Sequence, residues 1–144
     1  MRNTGFCILA VLGAVVAVSG CFGQSTLTPD QLPPVAASLV GTNITLEGLA
    51  VAYNVVCTQA ACPPETPCCN TCGAPLALAG DQTKIRLRGS YELRPVGCFG
   101  TECNQTCYPL TIWQRYQVSG TLLDDGSEYY LEFGGFIGKN STGI

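Results

Sequence analysis

The stretch Thr121-Leu122-Leu123-Asp124-Asp125-Gly126-Ser127-Glu128-Tyr129-Tyr130-Leu131-Glu132-Phe133 sets a tight-turn signal between two runs of strand periodicity. Asp-Gly tolerates the positive φ of a short hairpin turn, and Tyr129, Leu131 and Phe133 recur at every second residue, which places them on one face of the returning strand. Upstream, beyond Trp113, Tyr116 and Val118 alternate in the same way and extend the first arm. A β-hairpin is predicted here, and no segment carries a helical period over ten residues.

Working outward, alternation reappears at Ile44 and Leu46 and then, past Gly48, at Leu49, Val51, Tyr53 and Val55. The parity changes at the glycine, which predicts a long first strand bent by a β-bulge at Gly48. Ala74 to Ala79 and Thr83 to Gly89 flank the turn Gly80-Asp81-Gln82 and predict a second hairpin. In its return strand Ile85 and Leu87 point inward, while Lys84, Arg86 and Arg88 project from the other face. With Arg94 these form the one basic cluster, either a patch for an anionic ligand, glycan or acidic partner or a solvated strand face.

Cysteine decides what ties these strands together. Ten are present, and eight of them (Cys57, Cys62, Cys68, Cys69, Cys72, Cys98, Cys103 and Cys107) fall in one window of fifty-one residues. Between Cys57 and Cys72 lie Pro63, Pro64 and Pro67, which exclude a helix or a central strand and predict a cross-linked loop. Tyr91 to Ile112 holds the second group, broken by Pro95 and Pro109, and is predicted to be irregular. Eight cysteines admit 105 pairings, so the connectivity stays open.

The compartment follows from the start of the chain. Arg2 precedes Phe6 to Val18, an uncharged apolar run too short for a span of about 20 residues and matching an export signal. It runs into Val18-Ser19-Gly20-Cys21, which resembles the lipobox of bacterial lipoproteins. The resemblance implies cleavage after residue 20, acylation of Cys21 with chains such as palmitate, and a membrane anchor in the cell envelope. Position 22 is Phe, and a residue other than Asp there implies the outer membrane. Several acyl chains, at about 0.8 kcal/mol per buried methylene, make such an anchor durable. Residues 21–34, with Pro29, Pro33 and Pro34, are expected to tether it to a single domain at 35–144. An ordered segment lying on that domain through Leu27 and Leu32 is the other reading.

Five strands ordered as a long bulged strand, a hairpin, a long crossover and a final hairpin resemble an OB-fold barrel. Val40-Gly41-Thr42-Asn43-Ile44-Thr45-Leu46-Glu47-Gly48 is similar to an OB first strand, and Arg115-Tyr116-Gln117-Val118-Ser119-Gly120-Thr121 to a fourth. The usual helix between strands three and four is replaced by the cysteine loop. The fold class is therefore all-β, a five-stranded OB-like barrel with disulfide-stapled loops, with a small disulfide-rich β-sandwich as the alternative.

Composition narrows the function. Six of the seven basic and all ten acidic side chains remain once Arg2 is removed, a net charge of −4 that argues against nucleic acid as a partner. The chain has no histidine, so the commonest general base is missing, and Asp124, Asp125, Glu128 and Glu132 are accounted for by a turn and its strand. Cys69-Asn70-Thr71-Cys72 has the spacing of a redox pair, and with Cys98-x4-Cys103 it offers four thiolates for zinc. Four structural disulfides account for the same cysteines in an oxidising compartment. Asn43-Ile44-Thr45, Asn104-Gln105-Thr106 and Asn140-Ser141-Thr142 match a glycosylation sequon for which the lipobox implies no machinery. The expectation is an exported, lipid-anchored, non-catalytic binding or structural module without metal or cofactor, meeting the membrane and a protein or glycan partner. A periplasmic zinc-binding or thiol-disulfide-handling protein is the alternative.

Overall fold

The final hairpin organises the architecture. A computed structural model describes residues 25–138; the expected signal segment, Cys7, Cys21 and the sequon at Asn140 lie outside them. In chain order the elements are β1 (Thr26–Leu27), a 3-10 turn (Pro29–Gln31), α1 (Ala36–Leu39), β2 (Asn43–Ala52), β3 (Val56–Cys57), β4 (Thr71–Ala74), β5 (Leu76–Ala79), β6 (Lys84–Arg88), β7 (Ser90–Tyr91), β8 (Arg94–Pro95), β9 (Gly97–Thr101), β10 (Asn104–Tyr108), β11 (Arg115–Asp124) and β12 (Tyr129–Gly138).

β11 and β12 pair antiparallel from Tyr116 opposite Gly138 to Asp124 opposite Tyr129. Their turn is set by Gly126 at φ +86°, whose N–H donates to Asp124 Oδ1 at 2.8 Å. Asp125 Oδ1 accepts from the N–H groups of Ser127 and Glu128, so short acidic side chains satisfy the turn's backbone donors. From this hairpin the sheet continues on both sides. β11 pairs with β2, β12 runs parallel to β6, β6 pairs with β5, and β5 pairs back to β2, closing a five-stranded barrel. Leu46, Leu76, Leu78, Leu87, Val118, Leu122 and Leu131 fill it and are almost completely buried.

The bulge lies elsewhere than expected. β2 pairs with β11 through Gly48 without a break, whereas the β11–β12 register shifts between Ser119 and Gly120, where β12 carries the extra residue. Gly48 serves close approach instead: a Cβ there would stand 2.9 Å from the Ala79 carbonyl oxygen and 3.3 Å from Pro29 Cγ. The change of hydrophobic phase has another cause. Ala50 and Val51 are both buried, so beyond Gly48 the strand is covered on its two faces.

The ordered domain also begins before the boundary expected at residue 35. β1 pairs parallel with β2, Thr26 opposite Thr45, and Pro29, Leu32 and Ala36 are fully buried. Sinking one leucine of this kind stabilises by roughly 1.5–3 kcal/mol, enough to hold a short segment. Asp30 adds a polar clasp: its carboxylate accepts the N–H groups of Asp81, Gln82 and Thr83 at 2.6–3.0 Å. Those bonds hold its pKa below the usual carboxylate value. Residues 29–40 thus seal the end of the barrel where β2 begins.

The crossover between β6 and β11 is not irregular. β9 and β10 form a hairpin, and β9 pairs with β4, which pairs with β3, in a separate four-stranded sheet of order β10-β9-β4-β3. β4 and β5 are separated by Pro75 alone. The second sheet is therefore carried directly on the opposite end of the barrel.

Candidate binding surface

Four disulfides fasten this second sheet. Cys57–Cys72 joins β3 to β4 and Cys98–Cys107 joins β9 to β10, each between directly opposed residues with Cα atoms 4.0 and 3.9 Å apart. Cys62–Cys69 closes a short loop, and Cys68–Cys103 ties the first cysteine group to the β9–β10 turn. Cysteines paired at this density belong with an oxidising, exported environment. Cys69 and Cys72 are bonded to different partners, because Cys72 is on the sheet opposite Cys57 while Cys69 lies in the loop. The four cysteines read as zinc ligands, Cys69, Cys72, Cys98 and Cys103, are likewise each in a different disulfide.

Asn70, between two of them, is the buried polar residue that sequence reasoning missed. Its Oδ1 accepts from the Ala60 N–H at 2.8 Å and the Thr58 hydroxyl at 3.1 Å, while Nδ2 donates to Glu102 Oε2 at 3.0 Å and to the Ala60 carbonyl. Side-chain donors and acceptor are all used, so it knits the proline-rich loop to the sheet. A signal was present, an amide inside a cysteine pair where neither helix nor strand was predicted.

The sheet has two unlike faces. Opposed residues share a face, so Cys57 and Cys72, and Ala74, Cys98 and Cys107, lie on one side. Cys72, Ala74 and Cys98 are buried. The other side carries the row Val56, Gly73, Phe99 and Thr106. Val56 is 73% and Phe99 52% exposed. The Phe99 ring lies over Gly97, where a Cβ would be 3.2 Å from it. The next row, Thr71, Thr101 and Asn104, is uncharged.

A second exposed feature stands beside it. Ser90 to Pro95 is a two-residue hairpin whose central residues, Glu92 and Leu93, have φ of +47° and +64°, the signs of a type I′ turn. Neither is glycine, and Leu93 is fully exposed. The base is anchored by Tyr91, whose ring centroid lies 5.6 Å from those of both Phe133 and Phe136. Tyr108 OH donates to Glu92 at 3.3 Å, and burial first, then the neighbouring Glu92 charge, raises its pKa.

The basic cluster is divided. Arg86 pairs with Glu128 at 2.7 Å, and Arg88 with Asp125 while stacking 4.0 Å from the Tyr130 ring. The Ser127 hydroxyl and Arg88 depress the Asp125 pKa strongly, and the same contact raises that of Arg88. Lys84 lies 5.9 Å from the Tyr53 ring and Arg94 stacks on Tyr108 at 4.1 Å. Arg86 and Arg88 thus fasten the last hairpin's turn, and Arg94 belongs to the small hairpin.

Fold and site together define a disulfide-fastened, OB-like all-β domain with an uncharged, partly apolar outer sheet. Comparison with protein-family models, with curated proteins and with solved structures gave no match.

Proposed function

We propose that this chain is an exported envelope lipoprotein, anchored through Cys21 in the outer membrane, whose barrel carries a non-catalytic binding or structural module. The observation that supports it best is the use of every cysteine between residues 57 and 107 in a disulfide. That arrangement holds a surface in place and gives each of the eight cysteines a structural partner. The outer row of Val56 and Phe99 is the contact surface, and its lack of charge suits a protein or glycan partner better than a polyanion.

The anchor is tested by labelling cells with palmitate and fractionating them. Cys21→Ser is expected to lose the label and either leave the membrane fraction or accumulate as precursor. Unchanged processing and membrane association in that variant would remove the lipoprotein reading.

A further inference from the structure

We infer that the barrel end sealed by residues 29–40 rests on the lipid surface, so that the disulfide-fastened sheet is presented away from it. This rests on the lipid anchor proposed above. Four peptide units separate Cys21 from Ser25, and covalent geometry limits that span to about 14 Å whatever its conformation. Ser25 leads straight into β1, which is fixed against β2 with Thr26 opposite Thr45. The point of attachment is therefore near the start of β2. That is the end closed by α1, where the Gly41 N–H donates to the Leu122 carbonyl and the Leu122 N–H to Thr42.

The chemistry of this end fits a bilayer interface. From Gln31 to Asn43 the chain carries no charged side chain, and Val35 and Val40 are 40% and 41% exposed. Aliphatic side chains beside uncharged backbone enter the headgroup region at no ionic desolvation cost. The nearby acidic turn is partly neutralised, Asp125 by Arg88 and Glu128 by Arg86. The opposite end cannot reach the surface at the same time. β2 has ten residues, and strands rise about 3.3 Å per residue, so the second sheet stands roughly a strand length away.

The test uses the full chain, purified with its lipid from the producing membrane, its acylation read by intact mass, and reconstituted in phosphatidylethanolamine and phosphatidylglycerol vesicles. A photo-cross-linking residue replaces Val40 (Val40→p-benzoylphenylalanine) or, separately, Phe99. Val35 serves as a second position on the same face should the Val40 variant melt abnormally. On irradiation, a phospholipid adduct is expected at position 40 or 35 and none at 99. Acylated protein that forms the adduct at 99, forms none at 40 and 35, or cross-links there to a second copy overturns the orientation while the anchor stands. Protein without acyl mass removes the anchor and this inference together.

Discussion

Cys68 is bonded to Cys103 across thirty-five residues, the longest-range of the four disulfides, and it joins two loops that leave the barrel separately. Chain-entropy arguments assign a closed loop of that size about 4 kcal/mol, against about 2 kcal/mol for the seven-residue Cys62–Cys69 loop. Paired Cys→Ser replacements should therefore rank accordingly. Thermal melts of Cys68→Ser/Cys103→Ser should fall well below those of Cys62→Ser/Cys69→Ser, and equal losses would contradict a long-range role for the first bond.

Two glycines of the last hairpin should respond differently to alanine. At Gly126, φ is +86° with open space around it, so Gly126→Ala costs about 1 kcal/mol through backbone strain alone. At Gly120 a Cβ would lie 2.1 Å from the Glu132 carbonyl oxygen, and the strand pair must part to admit it. Denaturant melts should show the larger loss for Gly120→Ala; the reverse order would place the bulge elsewhere.

Asp30 makes acid stability legible. Its folded pKa lies below the ordinary 3.8, so the stabilisation it provides is complete above the unfolded pKa and fades as pH falls through the folded one. Asp30→Asn should lower the melting temperature at neutral pH and narrow the gap to wild type in strongly acidic buffer. A gap that stays constant with pH would show that the charge is immaterial to the clasp.

Leu93 loses nothing by truncation, since it is fully exposed, and gains from a residue at ease with positive φ. Leu93→Gly should raise stability by about 1 kcal/mol. A fall in melting temperature would mean that the side chain packs against the protein.

What sequence made visible tracks with how local the physics was. Tyr129, Leu131 and Phe133 announced their strand because their neighbours across the turn are close in the chain, and Ile85 and Leu87 did the same. The β4–β9 pairing was hidden: Gly73 meets Phe99 over a long stretch of chain, and the inward face of those strands is cysteine and alanine, which leaves no hydrophobic alternation to count. Val51, read with Leu49 as the inward row beyond a bulge at Gly48, misled because it is buried on the opposite face from Leu46 and Ala50 in a strand that pairs through Gly48 without a break. Leu32 was ambiguous because a single apolar residue among prolines reads equally as spacer or plug. The prolines that mark the cysteine loop excluded regular structure correctly over residues 58–70, but Cys57 closes β3 and Thr71 and Cys72 open the central strand β4, and the prolines gave no hint that Asn70 would be the loop's hub.

The inward face of the second sheet, lined by Cys72, Ala74 and Cys98, has one more implication. Its interior is built from sulfur bridges where the barrel's is built from leucine. With thiols reduced, the barrel keeps its hydrocarbon nucleus, while the appended sheet loses the cross-links that hold its short strands together. The row bearing Val56 and Phe99 therefore keeps its shape only where electrons can be taken from the chain, whereas the leucine-filled barrel does not depend on oxidation.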